Sequence, residues 1–149
     1  MTASRSGRVL LWPANGEGQP RTLFQLEGYA FAEFSPDGAH ILTVSLDGVQ
    51  LWRADGIGAP VTVTDQGGLR RCLFSPDGTQ IVGAGSSGDN TVRIWPADGT
   101  GEPAEFRGHS DSVRGGVGFS PDGSRIVSAA WDWTARVWPA DARTEPLVI

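Results

Sequence analysis

Apolar and polar positions alternate along this chain in short runs rather than in long helical stripes. In "TVRIW", ending at Trp95, and "TARVW", ending at Trp138, the alternation has period two. That period puts one face in a core and the other in water, as in a half-buried β-strand. Further runs, "HILTVS", "QIVGAG" and "RIVSAA", are rich in Val, Ile and Leu, and all of them are bounded by Gly, Pro, Asp or Ser clusters. Short runs of that make-up between turn residues predict strands. Ten prolines and 21 glycines punctuate the chain. No sustained helical period occurs anywhere, so the predicted fold class is all-β.

The runs belong to a larger repeat. "FSPDG" occurs at Phe34–Gly38, Phe74–Gly78 and Phe119–Gly123. Within it Pro presets φ, while Asp and Gly accept turn conformations that other residues resist. An alternating run precedes each copy and a β-type run follows it. Next come a turn and a second run ending in tryptophan: "VQLW" at Trp52, "TVRIW" at Trp95 and "TARVW" at Trp138. A fourth such run, "RVLLW", ends at Trp12 with no FSPDG ahead of it. The tryptophans are 40, 43 and 43 residues apart. About four short strands in a period of 40–45 residues is the arithmetic of a propeller blade.

At this point the chain resembles the WD-repeat β-propeller family. The stretch that carries the resemblance best is "GHSDSVRGGVGFSPDGSRIVSAAWDWTARVW", from Gly108 to Trp138. The family's structural tetrad falls here on His109, Ser128, Asp132 and Trp138. The signature Trp-Asp pair reads Trp-Pro or Trp-Arg throughout. Thr43, Asp47 and Trp52 match in the first full repeat, which lacks the histidine; His40 lies beyond the turn and is not equivalent. Asp89 and Trp95 match in the second, where Gly83 replaces the hydroxyl residue. "RGGVGF" is one residue longer than "RRCLF", which predicts a bulge at Gly115 or Gly116. The four tryptophans are expected in the cores between blades.

The family's strand order implies a division of the chain. Residues 1–27 make the outer half of one blade, with Thr2 at the place of Ser128; 28–66, 67–107 and 108–149 make three whole ones, provided "EPLVI" forms the last strand. Closed propellers typically have four to eight blades, and an open arc leaves unpaired edges. The ring is therefore expected to be completed, either by a longer chain of which this is an excerpt or by other copies.

Composition narrows the function. Net charge is −5, which speaks against nucleic-acid backbone binding. There is no apolar run of membrane-spanning length and no secretion signal pattern, so neither membrane insertion nor secretion is expected. The single cysteine, Cys72, cannot form an internal disulfide and agrees with a cytoplasmic, reducing setting.

Candidate chemistry is sparse. "GAGSSG", from Gly83 to Gly88, fits GxGxxG, but a strand-like run follows it where a dinucleotide site needs a helix. With two histidines, His40 and His109, a three-histidine metal site is excluded. His109, Ser128 and Asp132 could be drawn as a catalytic triad, yet the structural tetrad already accounts for them. The acidic turns lack calcium-loop spacing, and no paired carboxylates stand out. No catalytic residue, cofactor or metal is expected.

Trp131 and Trp133 do not recur between repeats. By the family's geometry, the residue before the turn aspartate and residues entering the innermost strand face the top rim around the channel. Leu46 and Trp131 belong to the first set, Arg70 and Arg114 to the second. Trp and Arg dominate binding hot spots, so Leu46, Arg70, Arg114, Trp131 and Trp133 form the candidate interaction surface. The alternative is that they pack on neighbouring turns, with Arg stacked over Trp. The resemblance implies a non-catalytic scaffold for protein partners, with linkers like those of bacterial WD-repeat chains. Self-assembly, with copies of the chain as its partners, is the other reading.

Overall fold

The computed structural model describes residues 1–149 except 5, 29–30, 86–87, 115 and 143–144. Every regular element among the described residues is a strand, and the strands form four antiparallel meanders. The first sheet has three: β1 (Thr2–Ala3), β2 (Arg8–Leu11) and β3 (Arg21–Gln25). The second holds β4 (Phe31–Phe34), β5 (His40–Ser45), β6 (Gly48–Arg53) and β7 (Val61–Thr64). The third holds β8 (Arg71–Phe74), β9 (Gln80–Ala84), β10 (Val92–Pro96) and β11 (Ala104–Phe106). The fourth holds β12 (Gly116–Phe119), β13 (Arg125–Ala129), β14 (Ala135–Pro139) and β15 (Leu147–Val148). "EPLVI" thus supplies the last strand, with Leu147 opposite Val137.

The recurrence of FSPDG has a local explanation. In each copy the Ser Oγ donates to the Asp Oδ1, at 2.5, 2.6 and 2.5 Å. The same Oδ1 accepts the N–H two residues on, and the Ser Oγ accepts the N–H of His40, Gln80 or Arg125. The glycines close the turn at φ 71°, 74° and 72°, which only glycine adopts without strain. Gly78 lies over Pro36, and Gly123 over Pro76, so successive turns also stack. Ser, Pro, Asp and Gly each have a part, and the turn's polar groups are satisfied within the hairpin itself.

Register does the rest. Ile41 pairs with Trp52, Ile81 with Trp95 and Ile126 with Trp138, on one face of each sheet. Leu42, Val82 and Val127 fall on the other face. The faces interlock in sequence. Val9 and Phe24 of the first sheet pack with Ile41; Leu42 and Val49 of the second with Ile81 and Trp95; Val82 and Ile94 of the third with Ile126 and Trp138. Aromatic contacts cross the same seams: Phe24 stacks on Trp52 with centroids 4.0 Å apart, and Phe106 meets Trp138 edge-on at 5.7 Å. Each fully buried Ile contributes roughly 1.5–3 kcal/mol relative to exposure.

The array is an open, incomplete β-propeller: among the described residues no core cluster joins the first sheet to the fourth. This corrects one expectation. Trp95 and Trp138 are 3% and 2% exposed, but Trp12 is 48% exposed, because no sheet covers its face. Val127, at the position of buried Leu42 and Val82, is 47% exposed for the same reason at the other end. Gly116 pairs regularly with Ala129, so no bulge falls there; Gly115 lies outside the described residues.

Candidate interaction site

The fourth sheet holds a buried chain of hydrogen bonds. Asp132, in the turn between β13 and β14, accepts from His109 Nδ1 at 2.9 Å. With Nδ1 donating, the ring's Nε2 accepts the hydrogen bond of the Ser128 hydroxyl at 2.8 Å. Ser128 in turn accepts from Trp138 Nε1, also at 2.8 Å. The side chains of His109 and Asp132 are 0% and 5% exposed, and Ser128 is 1% exposed. Burial pushes the Asp132 carboxyl up, but hydrogen bonds from Thr134, the Ser110 N–H and His109 outweigh it and hold the group well below the ordinary carboxylate range. The polar side-chain atoms of His109, Ser128 and Asp132 are all hydrogen-bonded to other protein groups.

The other sheets carry parts of this arrangement. Trp52 Nε1 donates to Thr43 Oγ1 at 2.8 Å, and Trp12 Nε1 to Thr2 Oγ1 at 3.0 Å. His40 opens β5, its backbone engaged with Ser35 of the SPDG turn. In the third sheet a Cβ on Gly83 would stand 2.6 Å from Cys72 Sγ and 3.0 Å from the Trp95 ring, so the hydroxyl position is filled by its neighbours. Asp89 turns to a different partner: Arg93 bonds it and reaches Glu105 at 2.9 Å on the adjacent strand. GAGSSG is followed by β10, a strand, and its residues 86–87 lie outside the described set.

The exposed candidates lie at one end of the array. Leu46 sits in the β5–β6 turn and is 66% exposed; its N–H donates to Glu27 O in the connection entering β4. Trp131 holds the corresponding place in the β13–β14 turn, with its N–H on Ser112 O, and is 58% exposed. Arg70 is exposed immediately before β8. Arg114 enters β12 half-buried, its guanidinium 4.5 Å over the Trp131 ring. Arg114 and Trp131 thus make the stacked pair weighed above as an alternative, while the Trp131 ring still meets solvent. Leu46 and Arg70 share this end on neighbouring sheets.

Trp133 carries the feature that sequence reasoning missed. It is 96% exposed and adopts φ 65°, a left-handed conformation costly for a bulky side chain. Its counterpart is Gly48, at φ 100°. Laying "LDG" over "WDW" puts Trp133 at the place of Gly48, and the left-handed backbone there is what the alignment did not show. A second omission is Glu33 on β4, whose Oε2 is buried without a partner. Burial raises its pKa, against the pull of Arg71 and the Phe74 N–H. Among the described residues no group of three His, Cys, Asp or Glu could hold a metal ion, and no helix is long and apolar enough to cross a membrane.

Comparison with known proteins agrees with this architecture. No curated protein matches the chain. The family described as WD40, "WD domain, G-beta repeat", matches residues 60–96 and 102–139, about half of the chain. Those two stretches contain most of the third and fourth sheets, including the buried Trp95 and Trp138. Members of that family generally mediate protein–protein interaction and are typically non-catalytic. With four antiparallel meanders stacked in register and two matched repeats, the chain belongs to the WD-repeat family.

Proposed function

We propose that this chain is a non-catalytic scaffold that holds a protein partner on the rim formed by Leu46, Arg70, Arg114, Trp131 and Trp133. Trp133 is the observation that carries the reading. A fully exposed tryptophan gains nothing from burial, and a left-handed backbone makes it more costly than the glycine its counterpart uses. A residue that costs stability and adds no packing points to use outside the fold. Beside it, Trp131 offers an exposed ring whose far side is backed by Arg114. Rigid sheets hold these side chains at low ordering cost, which favours binding.

The test is selection of a displayed random peptide library on the intact chain, followed by assay against a Trp131→Ala/Trp133→Gly variant. Trp133→Gly alone is expected to leave stability unchanged or raise it by up to about 1 kcal/mol, so binding lost in that single variant reports the surface and not the fold. Peptides that bind both proteins equally would overturn the reading.

A second reading, association between copies, is favoured by the two uncovered faces, with Trp12 48% exposed on the first sheet and Val127 47% exposed on the fourth. Absolute mass by light scattering after size exclusion tests it, and a well-folded species of single-chain mass would remove it.

A further inference from the structure

We infer that the partner held on this rim is an acidic segment, with carboxylates on Arg70 and Arg114 and an apolar side chain on Trp131; the inference rests on the rim reading above. The starting point is charge. The chain is acidic, and its twelve basic residues are all arginine. Several are used internally: Arg53 pairs with Asp55, Arg93 with Asp89 and Glu105, and Arg107 with Glu105. Among the described residues no carboxylate lies within ion-pair distance of Arg70 or Arg114, and Arg114 Nε is buried without a hydrogen-bond partner.

Topology places these two arginines ahead of neighbouring strands. Arg70 directly precedes β8, and Arg114 lies just ahead of β12. β8 and β12 are the end strands of their sheets and pack on each other, Gly118 against Leu73, and the turns that follow them also meet, Gly123 against Pro76. Arg71, the next residue, adds a third guanidinium, stacked over Phe31 at 5.5 Å. Carboxylates are near: Asp111 lies in the connection that carries Arg114, and Glu33 on β4 attracts Arg71, while Asp65 directly follows outer strand β7. None of them makes an ion pair with Arg70 or Arg114, whose charges are left for a partner.

The stack gives the chemistry its direction. Lying on the Trp131 ring, the Arg114 guanidinium is held in one plane, and a planar, weakly hydrated fork favours two-pronged carboxylate binding over a point-like anion contact. The exposed indole of Trp131 supplies apolar area 4.5 Å from that charge, and exposed Trp133 follows two residues on in the same turn. A segment alternating Asp or Glu with apolar side chains satisfies both, whereas a basic segment meets repulsion and a neutral one leaves Arg114 unpaired.

The peptides selected from the random library decide the matter. Those sensitive to Trp131→Ala/Trp133→Gly should be enriched in Asp and Glu interleaved with apolar residues. Their affinity, read by fluorescence anisotropy, should fall about tenfold or more in Arg70→Ala/Arg114→Ala. It should weaken with added salt and stay unchanged in Arg53→Ala, at the opposite end. Selected peptides that depend on the tryptophans but show no acidic enrichment, or ignore the arginine variant, would overturn the acidic partner and leave the rim standing. If no peptide depends on the tryptophans, both readings fall.

Discussion

Replacing Ser128 by alanine removes one hydroxyl and strands two buried groups. Trp138 Nε1 loses its acceptor and His109 Nε2 its donor, both at 2.8 Å in the native sheet. Trp138 is 2% exposed and the His109 side chain 0%, so water has no easy route to either. A buried polar group left unpaired costs about 1–3 kcal/mol. With two affected, and some relaxation, Ser128→Ala should cost about 2–4 kcal/mol. Thr43→Val is the internal control. It keeps the side-chain volume, strands Trp52 Nε1, at 2.8 Å, and gives up a long bond to Gln50 O at 3.4 Å, in a sheet without the histidine, so about 1–2 kcal/mol is expected. Urea unfolding followed by tryptophan fluorescence measures both. For m near 2 kcal/mol/M, the Ser128→Ala midpoint should drop by about 1–2 M at unchanged m. Because stacked sheets can unfold in parts, amide exchange in β12–β15 should accelerate while β5 and β6 are spared. A cost no greater than that of Thr43→Val would refute the reasoning, since the chain through Ser128 would then carry no more than a single bond.

Gly83→Ser restores the hydroxyl found in the fourth sheet, yet it should destabilise by about 1–3 kcal/mol, because its Cβ would stand 2.6 Å from Cys72 Sγ; a neutral or positive shift in the urea midpoint would show that the third sheet yields easily. Cys72 is fully buried and its thiol is pushed up to about 12 by burial, so a thiol reagent at mildly alkaline pH should label it only at the global unfolding rate. Fast labelling in native conditions would contradict that. The Asp132 carboxyl sits below its ordinary value in the fold, so its contribution is complete above about pH 4 and is lost as pH falls below that. The urea midpoint should therefore decline through this acid range, less steeply in Asp132→Asn, and an equally steep decline in the variant would assign the acid sensitivity elsewhere.

The fold was legible because its signals are local. FSPDG is a turn whose own atoms satisfy one another, and the period-two runs fix which residue faces which seam. Trp52, Trp95 and Trp138 could be placed from register alone. Trp12 could not, since its sequence environment matches theirs and only the missing neighbour leaves it in solvent. The site was less legible. Residue type and turn position pointed to Trp131 and Arg114, but their stacking depends on how a turn and a connection meet in space. Asp89 matched the turn aspartate of the fourth sheet; without a histidine to hold it, Arg93 captures it instead. Gly83 read as a lost hydroxyl, whereas the Cys72 sulfur and the Trp95 ring occupy that volume.

The two uncovered faces are unlike each other. One offers Trp12 with its Thr2 partner; the other offers Val127 and the strand bearing Leu147. A contact that joins one face to the other can be made twice by two copies about a two-fold axis, each first sheet meeting the other's fourth, which closes a ring. Where the geometry does not allow that closure, each union leaves a free face at either end and assembly continues as a larger ring or a linear polymer. The choice rests on the rotation between successive units, and the signature of the open case is a particle mass that keeps rising with protein concentration.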